Sequence, residues 1–336
     1  MRPRSLVALL LALAPAVVAQ PARPLVVAHR GASGYLPEHT LAAKAHAHAL
    51  GADFIEQDIV LTKDDVPVVL HDVHLDAVTD VARRFPGRAR PDGRYYVLDF
   101  TLAELRQLEV RERVNLKTGQ VQYPDRYPAA AAPTGLRIPT LEEELTLLQA
   151  LNRSSGRVAG IYPEIKAPRW HRDQGRDPSR LVLTVLARFG YADKTAPCFL
   201  QCFEWEEVRR LRRELGWKGR LVQLIGGSGQ SADGTDYGWL VSEAGLQAVA
   251  AVADGIGPVI GRVVNWPSAG APVQVTDLVA RARALGLAVH AFTIRRDDLP
   301  RHCPDLPALQ AALFDAAKVD GAFSDFPDLT LAYLRR

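Results

Sequence analysis

The sequence predicts an α/β protein folded as a closed (β/α)₈ barrel, the TIM barrel. Eight short apolar runs recur along the chain, and most of them are separated by stretches with the periodicity of amphipathic helices. Strands that alternate with helices pair in parallel, and eight of them can close into a barrel. The length of 336 residues lies within the range that such barrels occupy as a single domain.

Predicted strands and helices alternate along the whole chain. The strands are PLVVAH, DFIEQDIVL, VAGIYPEIK, PCFLQCF, RLVQLIG, ADGIGPVI, LAVHAFTI and DGAFSD. The helical stretches between them include TLAAKAHAHALG, TLEEELTLLQALN, RLVLTVLARFG and TDLVARARALG. Several of these begin with Thr or Asp and end with Gly or Asn, which are the residues preferred at helix caps.

One apolar run breaks the alternation. VPVVLHD follows DIVLT after only KDD, whereas a parallel crossover needs a dozen or more residues. We therefore expect a β-hairpin that extends the second strand beyond the barrel and returns His71 to its rim. The next interval, from about Asp80 to Arg137, is rich in Arg, Pro, Tyr and Gly, with one helical piece at TLAELRQLE. It is too long for an ordinary connection, so we interpret it as an insertion over the barrel mouth.

The first residues have the pattern of a secretory signal. Arg2 and Arg4 precede an apolar run from Leu6 to Val18, which ends in small residues that suit a signal peptidase. The run is too short to anchor the mature chain in a membrane. We therefore expect residues 1–19 to be removed, and residues 20–336 to be exported as one barrel domain.

Charge and cysteine content exclude several classes of protein. The net charge of +3 is small, and the scattered basic residues argue against nucleic-acid binding. Cys198 and Cys202 lie in one apolar segment, where an extended chain at ~3.3 Å per residue would hold them too far apart to bond. Together with Cys303 they allow at most one disulfide, and we expect buried thiols at the first two positions.

Three acidic residues are expected to share the upper rim of the barrel, where the carboxyl ends of the strands meet. Glu56 and Asp58 are two residues apart in FIEQDI and therefore project to one face. Glu164 lies in YPEIK, with Lys166 on the same face. Inward carboxylates repel unless a cation joins them, and hard oxygen ligands suit Ca²⁺ or Mg²⁺ better than Zn²⁺. The alternative is an internal layer of salt bridges, with Lys166 and Arg30 neutralising the acids.

Two histidines complete a set of residues suited to a phosphodiester. His29 ends the first strand and His71 ends the hairpin, so one can take a proton from an attacking oxygen while the other gives one to a leaving group. Arg30 and Lys166 supply fixed positive charge for an anion whose charge grows in the transition state. The histidines on predicted helices and loops, namely His46, His48 and His74, are assigned no role.

These segments together resemble the glycerophosphodiester phosphodiesterase family, in particular its periplasmic bacterial branch. The matching stretches are HRGASGYLPEHT, FIEQDIVLTKDDVPVVLHD, YPEIKAP, FLQCF, ADGIGP and DGAFSDFPD, and the insertion also matches. The resemblance implies a (β/α)₈ barrel and a divalent ion, usually Ca²⁺, with Mg²⁺ as the alternative. It also implies hydrolysis of glycerophosphodiesters such as glycerophosphocholine and glycerophosphoethanolamine to sn-glycerol 3-phosphate and an alcohol.

The resemblance assigns roles to individual residues. By motif, His29 and His71 match the acid and base, Glu56, Asp58 and Glu164 the metal ligands, Arg30 and Lys166 the phosphate contacts, and Gln201, Phe203 and Phe292 the glycerol or alcohol pocket. The chain has His39 after Glu38 where many family members have Asn, which affects the local hydrogen bonding.

Two other functions are considered. A phospholipase of the C or D type on a related barrel would need an exposed apolar ridge, whereas the insertion is polar and rich in Arg. A non-catalytic exported binding protein would have lost catalytic positions, and all of them are present. The expected partner is therefore a small soluble diester, with no nucleic acid and no membrane span. The oligomeric state and the preferred head group stay open, and a dimer is one option.

Overall fold

The structure is a computed structural model that describes residues 23–127 and 135–336. The predicted signal segment, residues 1–19, lies outside the described residues. The strands are β1 Leu25–Ala28, β2 Phe54–Leu61, β3 Pro67–Val69, β4 Gly160–Ile165, β5 Phe199–Cys202, β6 Arg220–Ile225, β7 Gly255–Pro258, β8 Val264–Asn265, β9 Gln274–Val275, β10 Ala288–Ile294 and β11 Gly321–Ser324. The helices are α1 Leu41–Leu50, α2 Val81–Arg84, α3 Leu102–Leu105, α4 Leu141–Ser155, α5 Pro168–Asp173, α6 Pro178–Arg188, α7 Trp205–Arg213, α8 Tyr237–Leu240, α9 Glu243–Ala250, α10 Leu278–Ala284, α11 Leu306–Gln310 and α12 Pro327–Leu334.

Eight parallel strands close into the predicted barrel. Their order is β1, β2, β4, β5, β6, β7, β10 and β11, and β1 pairs with both β2 and β11 to complete the ring. Every strand predicted from the sequence is present. The register pairs Asp58 with Glu164 and Glu164 with Gln201. Side chains from three neighbouring strands therefore stand at one level of the barrel.

The second strand continues into the predicted hairpin. β3 runs antiparallel to the end of β2, with Ile59 opposite Val69. The Leu70 amide then donates to the Asp58 carbonyl at 2.8 Å. This bond sets His71, the next residue, beside the level of Asp58.

Helix caps mostly follow the predicted signals. The Thr40 side chain accepts from the Ala43 amide at the start of α1, and Gly51 ends that helix in the left-handed conformation. At α4 the predicted end is wrong, because the helix continues past Asn152 to Ser155. The Asn152 side chain instead accepts from the Ala159 amide at 2.9 Å, and Gly156, with φ of 69°, provides the cap.

The predicted insertion covers the barrel mouth and has its own apolar cluster. Buried side chains of the insertion, including Val81, Phe100 and Leu108, pack with Val60 and Val68 of the hairpin. The helical piece predicted at TLAELRQLE shortens to α3, and its Thr101 and Glu104 form a capping box. The hairpin therefore serves as the base on which the insertion folds.

The lower rim of the barrel is occupied by structural ion pairs. An aspartate precedes each of β2, β7 and β11, and each accepts a hydrogen bond from the amide of the second residue of a neighbouring strand: Asp53 from Val26 at 2.8 Å, Asp254 from Leu221 at 3.0 Å and Asp320 from Val289 at 2.9 Å. The same aspartates pair with Arg23, Arg212 and Arg283. A concavity of about 960 Å³ opens at this end, but its aspartates already accept backbone hydrogen bonds and form salt bridges.

The cysteines are free thiols, as predicted for the first two. Cys198 and Cys202 are buried and Cys303 is partly exposed, and none of them forms a disulfide. Within the described parts of the chain, every helix is too short or too polar to cross a bilayer.

Candidate active site

Three buried carboxylates meet at the carboxyl end of the barrel. Glu56 and Asp58 come from β2 and Glu164 comes from β4. Each offers an oxygen, and these oxygens lie within 4.8 Å of one another. The spacing of two along β2 therefore places both acids on the inner face, as the sequence predicts.

The electrostatics of these acids fit a bound cation. Burial, followed by the charge of Asp58, raises the pKa of Glu56 well above its usual value, and burial also raises the pKa of Glu164. Burial acts in the same direction on Asp58, but Lys166 and His39 hold its pKa well below the usual value. The Asp58 Oδ1 atom is buried and has no hydrogen-bond partner. A donor set made of carboxylate oxygens suits a hard ion such as Ca²⁺ or Mg²⁺.

The alternative layer of internal salt bridges is present only in part. Lys166 Nζ lies 2.7 Å from Glu164 and 3.8 Å from Asp58. Arg30 Nε lies 3.7 Å from Asp58, but its Nη1 is hydrogen-bonded to Glu38 at 3.0 Å. Because Arg30 is shared with Glu38, these two cations do not balance the charge of three carboxylates.

His29 is held in one orientation by a carboxylate at the end of β11. Its Nδ1 lies 2.6 Å from Asp325 Oδ1, and its Nε2 lies 3.8 Å from Glu56 Oε2. Burial, followed by the charge of Arg30, lowers the pKa of His29 to about 4. The ring is therefore neutral at pH 7. Asp325 can only accept, so the proton sits on Nδ1 and Nε2 presents a lone pair.

His71 has the same arrangement on the other side of the mouth. Its Nδ1 lies 2.6 Å from Asp72 Oδ1. Burial, followed by Arg30 and Lys166, lowers the pKa of His71 to about 4. Both predicted histidines are therefore neutral imidazoles whose tautomer is set by an aspartate.

Each of these aspartates is bound by an arginine of the insertion. Arg113 donates to Asp72 Oδ2 at 2.7 Å, and Arg126 donates to Asp325 Oδ2 at 2.7 Å. Arg295, just after β10, donates to the same Asp325 oxygen at 3.0 Å. Sequence reasoning missed all five residues. Asp72 follows His71 directly and Asp325 follows the last strand directly, so the strand-end argument could have found both aspartates.

The remaining predicted residues surround the acids. The Arg30 amide donates to Glu56 Oε2 at 2.9 Å, and Gln201 Nε2 donates to Glu56 Oε1 at 3.1 Å. Phe203 and Phe292 meet edge to face with centroids 5.7 Å apart. Lys166 Nζ also lies 5.6 Å from the centroid of the Phe203 ring. The structure thus brings all ten predicted site residues into one region.

His39 contacts the acidic triad directly. Its backbone has φ of 62°, in the left-handed region that His and Asn tolerate better than most residues. Its Nε2 lies 2.8 Å from Asp58 Oδ2, and burial lowers its pKa to about 3. The neutral ring therefore donates to Asp58 and orients it, a role that an Asn amide can also fill.

Two chambers open from the histidines. The barrel chamber, of about 180 Å³, is lined by the triad and by Gln201, Phe203, Leu224, Phe292 and Phe323. The insertion chamber, of about 200 Å³, is lined by Ser33, Glu38, Glu112, Gln122, Tyr123 and Arg126. His29, Arg30, His71 and Arg295 line both. A ligand with two arms joined at an anionic centre could place that centre between the histidines and one arm in each chamber.

The chain is similar to a well-defined group of proteins. A model described as the glycerophosphoryl diester phosphodiesterase family matches residues 29–329. A glycerophosphodiester phosphodiesterase of Haemophilus influenzae is 41% identical over 328 residues, covering 93% of this chain and 90% of the relative. Another, from Treponema pallidum, is 34% identical over 328 residues, covering 92% of this chain and 91% of the relative.

Solved structures share the fold. A putative glycerophosphoryl diester phosphodiesterase from Silicibacter pomeroyi aligns with a TM-score of 0.71 and 27% identity over 94% of both chains. A phosphodiesterase from Oleispira antarctica, in complex with the product sn-glycerol-3-phosphate, aligns with a TM-score of 0.63 and 21% identity, covering 94% of this chain and 98% of the other. At 21% identity, the similarity to the Oleispira antarctica protein shows only that the fold is shared.

Proposed function

The chain belongs to the glycerophosphoryl diester phosphodiesterase family, and from that premise we propose how it hydrolyses glycerophosphodiesters. His29 and His71 exchange the protons of the reaction, and the products are sn-glycerol 3-phosphate and an alcohol. The observation that carries this proposal is the pair of neutral imidazoles, each fixed by an aspartate, at the boundary between the two chambers.

The diester phosphate lies between the histidines. Arg30 lines both chambers there, and its buried Nε atom has no hydrogen-bond partner. Arg30 and Lys166 bind the free phosphate oxygens and stabilise the charge that grows on them in the transition state. Gln201, Phe203 and Phe292 surround the glycerol arm in the barrel chamber.

Glu56, Asp58 and Glu164 would hold a divalent cation, Ca²⁺ or Mg²⁺, which would act as a Lewis acid toward the phosphate oxygens. We propose Ca²⁺ as the ion, because the resemblance to the periplasmic branch implies it. His39 and Lys166 serve this site by orienting Asp58 and Glu164.

Proton transfer uses the free Nε2 atoms of the histidines. One neutral histidine takes the proton of the attacking hydroxyl, either of water or of the neighbouring glycerol hydroxyl; the second route gives a cyclic phosphate that water then opens to sn-glycerol 3-phosphate. As the new P–O bond forms, the bond to the departing alcohol breaks, and the other histidine gives that oxygen a proton. The anionic diester raises the pKa of the histidine beside it, which allows one ring to arrive protonated.

We further propose that residues 1–19 direct export and that the enzyme acts in the periplasm. The support is the pattern of Arg2 and Arg4 followed by the apolar run to Val18. Soluble diesters, rather than membrane lipids, are its substrates, because polar side chains such as Gln122 and Arg126 border the mouth.

Turnover of soluble diesters tests this function. Purified residues 20–336 with Ca²⁺ should release sn-glycerol 3-phosphate from glycerophosphocholine and glycerophosphoethanolamine, measured with a coupled glycerol-3-phosphate dehydrogenase. The same assay with Mg²⁺ compares the two ions. Release of a phosphorylated head group, or no turnover of any diester, would contradict the proposal.

The insertion arginines should affect turnover more than binding. Replacing Arg113 or Arg126 with Met removes the group that fixes Asp72 or Asp325, so each imidazole can turn away from its productive position. We expect kcat to fall roughly tenfold to hundredfold while KM changes much less, since small misplacements of a reacting group are costly. Steady-state kinetics of each variant with glycerophosphocholine gives both constants.

Lysine at either position should restore part of kcat, because it keeps a donor and a charge. Arg88→Met is the matched control, since Arg88 also belongs to the insertion but bonds Glu104 and the Asp99 carbonyl. Equal losses in the control and the two test variants would mean that the arginines only stabilise the insertion.

A further inference from the structure

The insertion chamber carries an unusual pattern of satisfied and unsatisfied polar groups. Its arginines are already paired: Arg30 with Glu38, Arg113 with Glu38 and Asp72, Arg126 with Asp297 and Asp325, and Arg295 with Asp325. In contrast, Glu112 Oε2 and Ser33 Oγ line the same chamber and have no hydrogen-bond partner. Both residues are only 4% exposed.

A buried carboxylate oxygen without a donor is costly, so its presence needs an explanation. Both oxygens of Glu38 accept hydrogen bonds from arginine, as do both oxygens of Asp325 from His29 and arginine. Glu112 therefore differs from Glu38 and Asp325, because one of its carboxylate oxygens, Oε2, accepts no hydrogen bond from the protein. What Glu112 lacks is a hydrogen-bond donor at Oε2.

We propose that the insertion chamber binds the leaving alcohol arm of the substrate, and that Glu112 and Ser33 accept hydrogen bonds there from a primary ammonium group. This inference rests on the proposed function and names its preferred substrate class, the glycerophosphodiesters with an aminoalkyl head group. A primary ammonium has three N–H donors and no acceptor, which matches a chamber whose lining includes an unpartnered carboxylate oxygen and an unpartnered hydroxyl.

The charge of Glu112 responds to such a ligand. Burial, followed by the charge of Glu38, raises the pKa of Glu112 to about 7. A cation held against it lowers that pKa again, so the bound ammonium keeps the carboxylate ionised and gains a charged hydrogen bond. A quaternary ammonium carries the same charge without N–H donors, and a glycerol head group carries hydroxyls without the charge. Comparing these two head groups therefore separates the contribution of the charge from that of the hydrogen-bond donors.

The test is the selectivity of Glu112→Gln among three diesters. Wild type should have a higher kcat/KM for glycerophosphoethanolamine than for glycerophosphocholine or glycerophosphoglycerol. In Glu112→Gln the ratio of kcat/KM for glycerophosphoethanolamine to that for glycerophosphoglycerol should fall at least about tenfold, as expected for a lost charged hydrogen bond. Ser33→Ala should shift the ratio in the same direction by a smaller factor.

Glu109→Gln is the control, because Glu109 is an insertion acid that lies 3.6 Å from Arg137. It should leave the ratio at the wild-type value. A ratio that is unchanged in both Glu112→Gln and Ser33→Ala would overturn the ammonium site while leaving the hydrolase intact. Wild-type protein that turned over none of the three diesters would instead overturn the proposed function itself.

Discussion

Replacing His29 or His71 with alanine should lower kcat for glycerophosphodiesters by about 10³-fold, within the range measured for general acid–base groups. Each ring lines both chambers, and its Nδ1 is fixed by an aspartate at 2.6 Å, which leaves Nε2 for proton transfer. An alanine leaves no group there that can move a proton. Steady-state and single-turnover kinetics with glycerophosphocholine measure the loss.

The double variant distinguishes cooperation from independent roles. Residues that act in one proton-transfer sequence are strongly non-additive, so removing both rings should cost little more than removing one. His46→Ala is the matched control, because His46 lies on α1 and packs against Tyr35 with centroids 5.5 Å apart. A single histidine variant that kept the wild-type rate would exclude that ring from the chemistry.

Local periodicity and the strand-end rule predicted the barrel and the convergence of the candidate site residues. Short apolar runs alternate with helical stretches that carry cap residues at their ends. This alternation of strands and helices was enough to predict a ring of parallel strands. The spacing of two between Glu56 and Asp58 then placed both acids on the inner face, and the register of β2 with β4 adds Glu164. The short link KDD was enough to predict the hairpin that returns His71.

The contacts made by the insertion could not be predicted in this way. Arg113 lies 41 residues from Asp72 in sequence, and Arg126 lies 199 residues before Asp325. Both arginines stand in irregular backbone, where no repeating pattern says which side chain points inward. Their partners depend on how the insertion's own apolar cluster packs on the hairpin, which is a tertiary property. The position of Glu112 in the insertion chamber depends on the same packing and could not be predicted either.

The insertion therefore links the shape of the mouth to the chemistry. Its apolar residues bury the hairpin extension, and its polar residues fix both His–Asp pairs and line the insertion chamber. We therefore expect substitutions in the chamber lining to act on head-group preference, and substitutions of the two arginines to act on the histidines.

Replacing Glu56 with Gln should lower activity strongly and yet stabilise the metal-free protein. In the presence of Ca²⁺ the variant should lose about 10³-fold in kcat, since a Lewis-acid ion contributes several kcal/mol to a transition state. Chelation of wild type should cause a comparable loss. In chelator, however, the Tm of Glu56→Gln should exceed that of wild type by a few degrees, because the substitution removes a buried acid that its neighbours repel.

The local hydrogen bonds favour this result, and a second buried acid provides its control. In Glu56→Gln the side-chain carbonyl oxygen can still accept from the Arg30 amide, and Gln201 can turn its unpartnered Oε1 toward the new amide group. Calorimetry with and without Ca²⁺ measures the change in Tm that the ion causes. Wild type should show a Ca²⁺-induced rise in Tm, and Glu56→Gln should not. Glu204→Gln is the control, because it changes a buried acid that is bonded to the Arg169 amide, and it should keep the rise. A Ca²⁺-induced rise that survives in Glu56→Gln would place the ion elsewhere, and activity that survives chelation would remove it from the reaction. The opposite signs expected for activity and for metal-free stability follow from one cause, since the repulsion among these acids is what a bound cation would relieve.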